Sequence, residues 1–273
     1  MTDTTPVASL GAFDSLQPGA RLPVLFLGHG SPMNAIEDNE YRRSWQALGA
    51  EFGLTWPKPQ LILCISAHWL TQGWWLTGMA RPKTIHDFGG FPQELFAQQY
   101  PAPGAPEAAR EISQALRQPD SSRQPGAFKP LGLDLDDWGL DHGSWSVLKP
   151  MFPDADIPVL QLSMDYSQAP AVHYALARQL KGLRERGVLM VGSGNIVHNL
   201  RAMSRTADPK QAHDWAREFD QIIAGQIEQG RLDELAGFQS LGQIAQLAQP
   251  THEHYLPLLY AAGAVHAGEP HRF

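Results

Sequence analysis

Short apolar segments separated by helical patterns constrain the fold of this chain more than any other feature. Four apolar runs predict buried strands and a fifth is a weaker candidate: residues 22–27, 61–65, 157–162 and 188–191, and then 74–79. Helical patterns lie between and beyond them, at residues 38–52, 106–117, 169–186, 211–229 and 254–265. Strands that are apolar on both faces and alternate with helices indicate a sheet covered on both sides. We therefore expect one three-layer α/β/α domain around a central mixed sheet.

Histidines follow three of the predicted strands. His29 lies between Gly28 and Gly30 directly after the first strand, His68 follows the second, and His198 follows the glycine turn after residues 188–191. Each of them alone would also fit a histidine bonded within a tight turn or packed in the core. Functional groups of α/β folds, however, lie in loops outside the carboxyl ends of strands. The repeated pattern therefore predicts that these histidines converge on one crevice.

Two further histidines, His252 and His254, lie at the start of the last predicted helix. Residues two apart do not face the same point on a regular helix. We therefore expect one of the two at the site and the other in solvent. Because imidazole is a good ligand for zinc, iron and copper, the histidine set predicts one divalent metal ion.

Aromatic and glycine-rich loops carry His142 and His86. His142 lies in a predicted turn between Trp138 and Trp145, and His86 precedes the run Asp-Phe-Gly-Gly-Phe-Pro at 87–92. Both loops suit a pocket for a flat aromatic ligand. For His86, a well-packed surface loop is an equally good interpretation.

Charge and cysteine content exclude several classes of partner. Lys plus Arg is 21 and Asp plus Glu is 28, which gives a formal net charge of −7. This argues against nucleic acid and against an anionic membrane surface. No apolar run approaches the roughly 18 residues of a membrane span. The single cysteine, Cys64, excludes an intramolecular disulfide and suits a reducing cytoplasm. Residues 1–20 lack the basic start and apolar core of a signal peptide, so we interpret them as an extension.

Six segments, taken together and in this order, resemble the class III extradiol ring-cleavage dioxygenases, in particular the 4,5-DOPA dioxygenase branch of that family. They lie at residues 26–34, 66–69, 85–92, 139–145, 194–200 and 253–259. The resemblance implies that residues 21–273 form a catalytic domain with a non-haem ferrous site. It also implies that both oxygen atoms of O₂ are inserted into the ring of a catechol such as DOPA.

The same resemblance implies roles for individual residues. His29, His68 and His254 would hold the metal, and His198 would be a fourth ligand or an acid/base. His142 would contact the substrate. Apart from the resemblance, its imidazole could also serve as a catalytic acid/base, and the aromatic loop of His86 predicts a further substrate contact. Chains of the family usually continue into a final strand or two beyond the point where this sequence ends. We expect such a difference to affect the sheet or the pocket rather than the ligands.

Two other functions remain open at this stage. A zinc hydrolase also uses a histidine-only set, in which zinc lowers the pKa of bound water to about 7. Zinc is also plausible as the bound ion, because it binds more tightly than iron in the general affinity order. The other function is a non-catalytic metal-binding or interaction protein. Ring cleavage consumes O₂ and is lost when zinc replaces iron, hydrolysis does neither, and the third function predicts no turnover.

Overall fold

The computed structural model describes residues 13–120, 122, 126–203 and 212–271. Ten strands lie within these ranges and are numbered in chain order. They are β1 Val24–Gly28, β2 Leu61–Thr71, β3 Trp75–Thr77, β4 Lys83–Thr84, β5 Gln118–Pro119, β6 Phe128–Lys129, β7 Gly132–Asp134, β8 Gly139–Leu140, β9 Val159–Asp165 and β10 Val188–Gly194.

The central sheet has six strands in the order β1-β10-β2-β9-β3-β7. The first four are parallel to one another, whereas β3 runs antiparallel to β9 and parallel to β7. The sheet is therefore mixed, as predicted. Because β1, β10, β2 and β9 point the same way, their carboxyl ends lie along one edge of the sheet.

Eight α-helices lie in the described ranges, together with three 3₁₀ helices at Pro32–Ala35, Lys181–Arg186 and Glu234–Leu241. The α-helices are α1 Glu40–Glu51, α2 Gln93–Phe96, α3 Pro106–Ala115, α4 His142–Met151, α5 Pro170–Leu180, α6 Asp214–Glu228, α7 Gln243–Ala248 and α8 Leu256–Gly263. None of these helices combines the length and apolar character needed to cross a bilayer.

Apolar cores lie on both faces of the sheet. Leu63 and Ile65 of β2 face the core that α3, α5, α6 and α8 cover, whereas Ile62 and Cys64 face the core that α1 and α4 cover. Successive side chains of a strand point to opposite faces, so an unbroken apolar run serves both cores. The predicted three-layer α/β/α architecture is confirmed.

Several element boundaries differ from the sequence prediction. Helix α1 begins at Glu40 because Asn39 accepts a hydrogen bond from the Arg42 backbone N–H as its N-cap. The helix predicted for 254–265 begins only at Leu256. The predicted helix 169–186 is helix α5 followed by a 3₁₀ helix, and it ends at Gly187, whose φ of +64° favours glycine. Helix α6, predicted for 211–229, begins at Asp214; residue 211 of the predicted range lies outside the described residues.

Part of the predicted N-terminal extension packs against the domain. Phe13 and Leu16 are buried in the core on the α3 face, and the Asp14 backbone N–H donates to the Glu111 carboxylate. Residues 1–12 lie outside the described residues. The division of the chain at residue 21 therefore remains a prediction.

Candidate metal centre

Four histidines from distant parts of the chain meet at the carboxyl edge of the parallel strands. The ring centroid of His29 lies 5.1 Å from that of His68, 5.3 Å from His254 and 5.8 Å from His142. The rings of His68 and His142 are 3.9 Å apart, and those of His68 and His254 are 5.1 Å apart. The predicted convergence is therefore present for His29 and His68, and His142 and His254 belong to the same cluster.

His29 is held immediately beyond β1. Its backbone N–H donates to the Gly194 carbonyl oxygen at the end of neighbouring β10, and its own carbonyl oxygen accepts from the Asn34 side-chain amide. Gly30 follows with φ +57°, a conformation that glycine adopts readily, and it turns the chain away from the sheet. The ring is thus left facing the cluster with 2% of the residue exposed.

His68 lies within a strand, whereas the sequence predicted that it would follow one. Strand β2 continues to Thr71, but its register against β9 shifts between Ile65 and Leu70. Extra residues in one strand form a bulge, which redirects side chains beside functional sites. The irregularity at this point places His68 toward His29, and their Nε2 atoms are 3.3 Å apart.

His254 lies in the turn that precedes α8 and is held against the end of β10. Its carbonyl oxygen accepts the Asn195 backbone N–H at 2.8 Å. A side chain at Gly194 would collide with that carbonyl oxygen. The glycines in the run Gly192-Ser-Gly194 therefore serve close approach of the His254 segment.

His252 does not point into solvent, as the sequence predicted for one histidine of the pair. Its ring stacks on Tyr166 with centroids 4.5 Å apart and is half-buried. The expectation of one site histidine holds for His254, but the other histidine packs against an aromatic ring instead of remaining solvated.

His142 is the first residue of helix α4, where the sequence predicted a turn. Asp141 caps this helix by accepting the Ser144 backbone N–H at 3.1 Å. Gly143 allows the helix start to approach β2 closely, because a Cβ there would collide with Ser66 and His68. Gly143 and the flanking tryptophans predicted a loop where α4 begins, although Asp141 is a typical N-cap residue.

Three polar residues that the sequence analysis assigned no role contact the second nitrogen of cluster histidines. Ser193 donates to the Gly143 carbonyl oxygen, so its hydroxyl oxygen accepts from His29 Nδ1 at 3.0 Å. His254 Nδ1 lies 3.0 Å from Glu253 Oε1. Asp87 Oδ2 lies 2.9 Å from His142 Nδ1 and 3.5 Å from His68 Nδ1. Asp87 follows His86 and Glu253 precedes His254 in the recognised motifs. This adjacency to motif histidines was the sequence signal that could have identified the two carboxylates.

Burial keeps the imidazoles of His29 and His68 neutral. It lowers the pKa of His29 well below its usual value, and the surrounding histidines add to the effect. Burial and His142 lower the pKa of His68 to about 3. Burial alone would raise the pKa of Glu253, but its hydrogen bond with His254 brings that pKa to about 2. The site therefore combines the neutral imidazoles of His29 and His68 with the ionised carboxylates of Glu253 and Asp87.

His198 lies behind His254 rather than beside it. The two rings are stacked with centroids 3.4 Å apart and an interplanar angle of 11°. Gln249 holds this segment by donating to the carbonyl oxygens of Asn195 and Ile196, and the His198 backbone N–H donates to Ala248. Burial, followed by the effect of His254, lowers the pKa of His198 to about 4.

His86 lies in an aromatic wall next to the cluster. Its Nε2 donates to the Gln98 carbonyl oxygen at 2.9 Å, and its ring contacts Phe88, Phe96 and Trp145. Phe88 in turn lies edge-on to His142, with centroids 5.5 Å apart. Phe88 thus connects His86 to the cluster.

The donor set fits a divalent metal ion. Two imidazole nitrogens bound tetrahedrally at about 2.05 Å to one ion would lie roughly 3.3 Å apart, and the Nε2 atoms of His29 and His68 have this separation. Histidines that bind a metal commonly donate the N–H of their other ring nitrogen to an oxygen acceptor. Ser193 is such an acceptor for His29, and Glu253 is one for His254. Within the described residues, His29, His68 and His142 form one potential metal-binding group, and His198, Glu253 and His254 form another. His142 shares a group with His29 and His68, whereas His254 shares one with His198 and Glu253, so both are candidates for a further ligand.

Comparisons with known proteins agree with these features. The family model described as the catalytic LigB subunit of aromatic ring-opening dioxygenase matches residues 23–271. A protein of Escherichia coli (strain K12) named 4,5-DOPA dioxygenase extradiol is 46% identical over 94% of this chain and 90% of its own length. A protein of Beta vulgaris with the same name is 36% identical over 89% of this chain and 86% of its own length.

A solved structure has the same architecture. The crystal structure of an uncharacterized protein from Escherichia coli K12 superposes with a TM-score of 0.74 at 41% identity. The match covers 92% of this chain and 91% of that one. The chain therefore belongs to the LigB family of aromatic ring-opening dioxygenases, as its motifs predicted, and is a ring-cleaving dioxygenase.

Proposed function

We propose that this enzyme cleaves the ring of a catechol such as DOPA in the extradiol manner, using one divalent metal ion held by His29, His68 and His254. The observation that carries the proposal is the cluster of neutral, buried imidazoles at the carboxyl edge of the sheet, with Nε2 of His29 and His68 3.3 Å apart. The relatives named 4,5-DOPA dioxygenase extradiol support the choice of substrate class.

When bound, ferrous iron would supply the means of bringing catechol and O₂ together and of passing electron density between them. Neutral imidazole ligands leave the ion its full positive charge, which favours an ionised phenol as a partner. Three protein ligands also leave positions for two catechol oxygens. We prefer His254 to His142 as the third ligand because of the family motif; each of the two has a carboxylate at its Nδ1, Glu253 for His254 and Asp87 for His142.

His198 is proposed as an acid/base that moves a proton and not as a ligand. Its ring is stacked on that of His254, with centroids 3.4 Å apart and an interplanar angle of 11°. The in-plane lone pairs of two parallel rings do not point to one position, so His254 would hold the metal and His198 would remain available for proton transfer. A histidine beside a ligand histidine can donate or accept a proton during the reaction.

His142 is proposed to contact the substrate from the opposite side of the cluster. It is 6% exposed, lies at the start of α4, and is flanked by Phe88, whose ring offers an edge to a flat aromatic substrate. Direct contact of His86 with substrate remains a prediction; its ring packs against the same phenylalanine.

A reconstitution experiment tests this function. Metal-free protein is loaded anaerobically with Fe(II), and a catechol panel including DOPA is followed by oxygen uptake and by the appearance of a yellow product. We expect turnover with Fe(II) and none with Zn(II). The zinc-hydrolase alternative gains no support from relatives that are named dioxygenases, and turnover with zinc but without oxygen uptake would restore it. The cytoplasmic location and the absence of a nucleic-acid partner remain proposals based on composition.

A further inference from the structure

Asp87 occupies a position between two histidines of the cluster. It lies in the loop after β4, and its side chain is 18% exposed. One carboxylate oxygen, Oδ1, accepts the backbone N–H of His142 at 2.9 Å. The other oxygen, Oδ2, lies 2.9 Å from His142 Nδ1 and 3.5 Å from His68 Nδ1. One carboxylate therefore contacts both the backbone and the ring of His142.

The Nδ1 atom of His142 needs such a partner. It is buried and lies 2.9 Å from Asp87 Oδ2, a distance that suits a hydrogen bond. The N–H···O angle is bent in this structure, so the bond is not well aligned. Buried polar nitrogens in folded proteins are nearly always hydrogen-bonded. The phenyl ring of Phe88, which lies beside the imidazole, has no acceptor oxygen, and Asp141 is engaged by Gln161 and by the Ser144 backbone N–H. Asp87 is the acceptor within reach.

We propose that Asp87 is a positioning residue that accepts the Nδ1–H of His142 and so fixes both the tautomer and the orientation of that ring. This inference rests on the proposed function. With the proton held on Nδ1, Nε2 presents a lone pair to the substrate, and His142 accepts the proton of a catechol hydroxyl. The imidazolium that forms is stabilised by the carboxylate behind it. Carboxylate–histidine pairs have this effect on tautomer and orientation in other enzymes.

The test uses Asp87→Asn, which preserves the size of the side chain and can still accept the His142 backbone N–H through its amide oxygen. The amide NH₂ next to the ring favours the opposite tautomer, with the proton on Nε2. We expect kcat of the iron-loaded enzyme to fall roughly 100-fold or more, within the range for loss of a general base. We expect KM to change less than about threefold, because the lost interaction acts on proton transfer.

A second readout does not depend on activity. In Zn(II)-loaded protein labelled with ¹⁵N-histidine, the His142 signals are identified by their loss in His142→Ala. We expect the wild type to show the Nδ1–H tautomer and Asp87→Asn to show the Nε2–H tautomer. Metal analysis of the same samples checks that occupancy at saturating Zn(II) is unchanged, since Asp87 also lies near His68.

Asp134→Asn is the matched control. Its carboxylate also accepts backbone N–H groups in a turn, those of Asp136, Asp137 and Trp138. It should retain the wild-type tautomer of His142 and wild-type kcat. Asp87→Glu, which keeps a carboxylate, should recover part of the turnover.

The outcomes separate this inference from the proposed function. A wild-type protein with His142 in the Nε2–H form overturns the role of Asp87, even if Asp87→Asn fails to fold. So does an Asp87→Asn enzyme with unchanged tautomer and kcat within twofold of wild type. If iron-loaded wild type consumes no O₂ with any catechol, the proposed function fails, while the tautomer measurement still decides whether Asp87 positions His142.

Discussion

The buried histidines of the cluster and the buried core histidine His173 differ in what surrounds them. His29 at the sheet edge is 2% exposed and has three other imidazoles within 6 Å of its ring. His173 in the core on the α5 face is fully buried and contacts Tyr260 and Trp74. Burial lowers the pKa of both rings, that of His173 to about 4. Burial and a neutral ring are therefore shared, and only the convergence of imidazole nitrogens distinguishes a metal site from a packed histidine.

The hydrogen bonds of the core histidine explain its different character. The Trp74 indole N–H donates to the Tyr260 hydroxyl, and that hydroxyl is hydrogen-bonded to His173 Nδ1 at 2.8 Å. The Nδ1 atom of His173 is therefore engaged by a core residue. In the cluster, Ser193 and Glu253 accept N–H groups instead, which leaves lone pairs on Nε2 of His29 and His254.

The largest effect should follow from removing proposed ligands. His29→Ala and His254→Ala are expected to lower metal affinity by more than the 10–100-fold that loss of an outer hydrogen-bond partner typically costs. His142→Ala and His173→Ala should retain metal, the latter serving as the control for loss of a buried ring. Metal titration followed by elemental analysis provides the measurement. Retention by His254→Ala together with loss by His142→Ala would exchange their roles.

Replacing His198 should affect turnover and leave the metal in place. If it moves a proton, His198→Ala loses about 10²–10⁴-fold in kcat, the usual contribution of general acid–base catalysis, at full iron occupancy. Single-turnover kinetics beside iron analysis distinguishes the two roles. A parallel fall in iron content and turnover would identify His198 as a fourth ligand.

Disturbing the hydrogen bonds around His173 should lower the stability of the protein and leave its activity unchanged. Tyr260→Phe removes the hydroxyl that joins Trp74 and His173, and it leaves both nitrogens buried without that partner. We expect the free energy of unfolding to fall by about 1–3 kcal/mol, with metal content and kcat unchanged. Urea denaturation with parallel activity assays measures both. Loss of metal in this variant would show that the core around His173 supports the metal site, and it would contradict the distinction between the two kinds of buried histidine.

Acidification should lower the free energy of unfolding of the metal-free protein, because burial keeps both His68 of the cluster and His173 in neutral form. Over one pH unit we expect a smaller effect than that of Tyr260→Phe. The pKa is about 3 for His68 and about 4 for His173, below the unperturbed value of about 6.5. The unfolded chain therefore binds more protons below pH 6.5, and stability falls as the pH decreases.

Each such histidine contributes at most about 1.4 kcal/mol per pH unit in this range. Urea denaturation of metal-free protein between pH 6.5 and 5 provides the slope. His173→Leu should reduce that slope, and an unchanged slope would contradict the buried neutral state of His173.

Much of this architecture could be predicted from local sequence. The apolar runs that became β1, β2, β9 and β10 indicate strands buried on both faces, and the chain positions of His29 and His68 place them near one edge of a parallel sheet. The resemblance of six motifs also selected His254 over His252. These inferences succeed because strand burial and loop position depend on residues close together in the chain.

Other features depend on contacts between distant segments. The shift in register of β2 that redirects His68, and the stacking of His198 on His254, arise only when β9, β10 and the segment before α8 pack together. Asp87 becomes a partner of His142 across 55 positions of sequence. No local pattern specifies that pairing, because a carboxylate in a loop is compatible with solvent until the fold places a buried nitrogen beside it.

The sequence by itself determined the α/β class, the family and the set of histidines available to a metal. The tertiary structure decided which nitrogen of each ring is free and which is engaged by Ser193, Glu253 or Asp87. The physical reason is that a histidine acquires its ligand or acid/base character from the hydrogen bond at its other nitrogen. For His29 and His142 the partner lies far away in the chain, and for His254, whose partner Glu253 is its neighbour, the fold decides which way the ring faces.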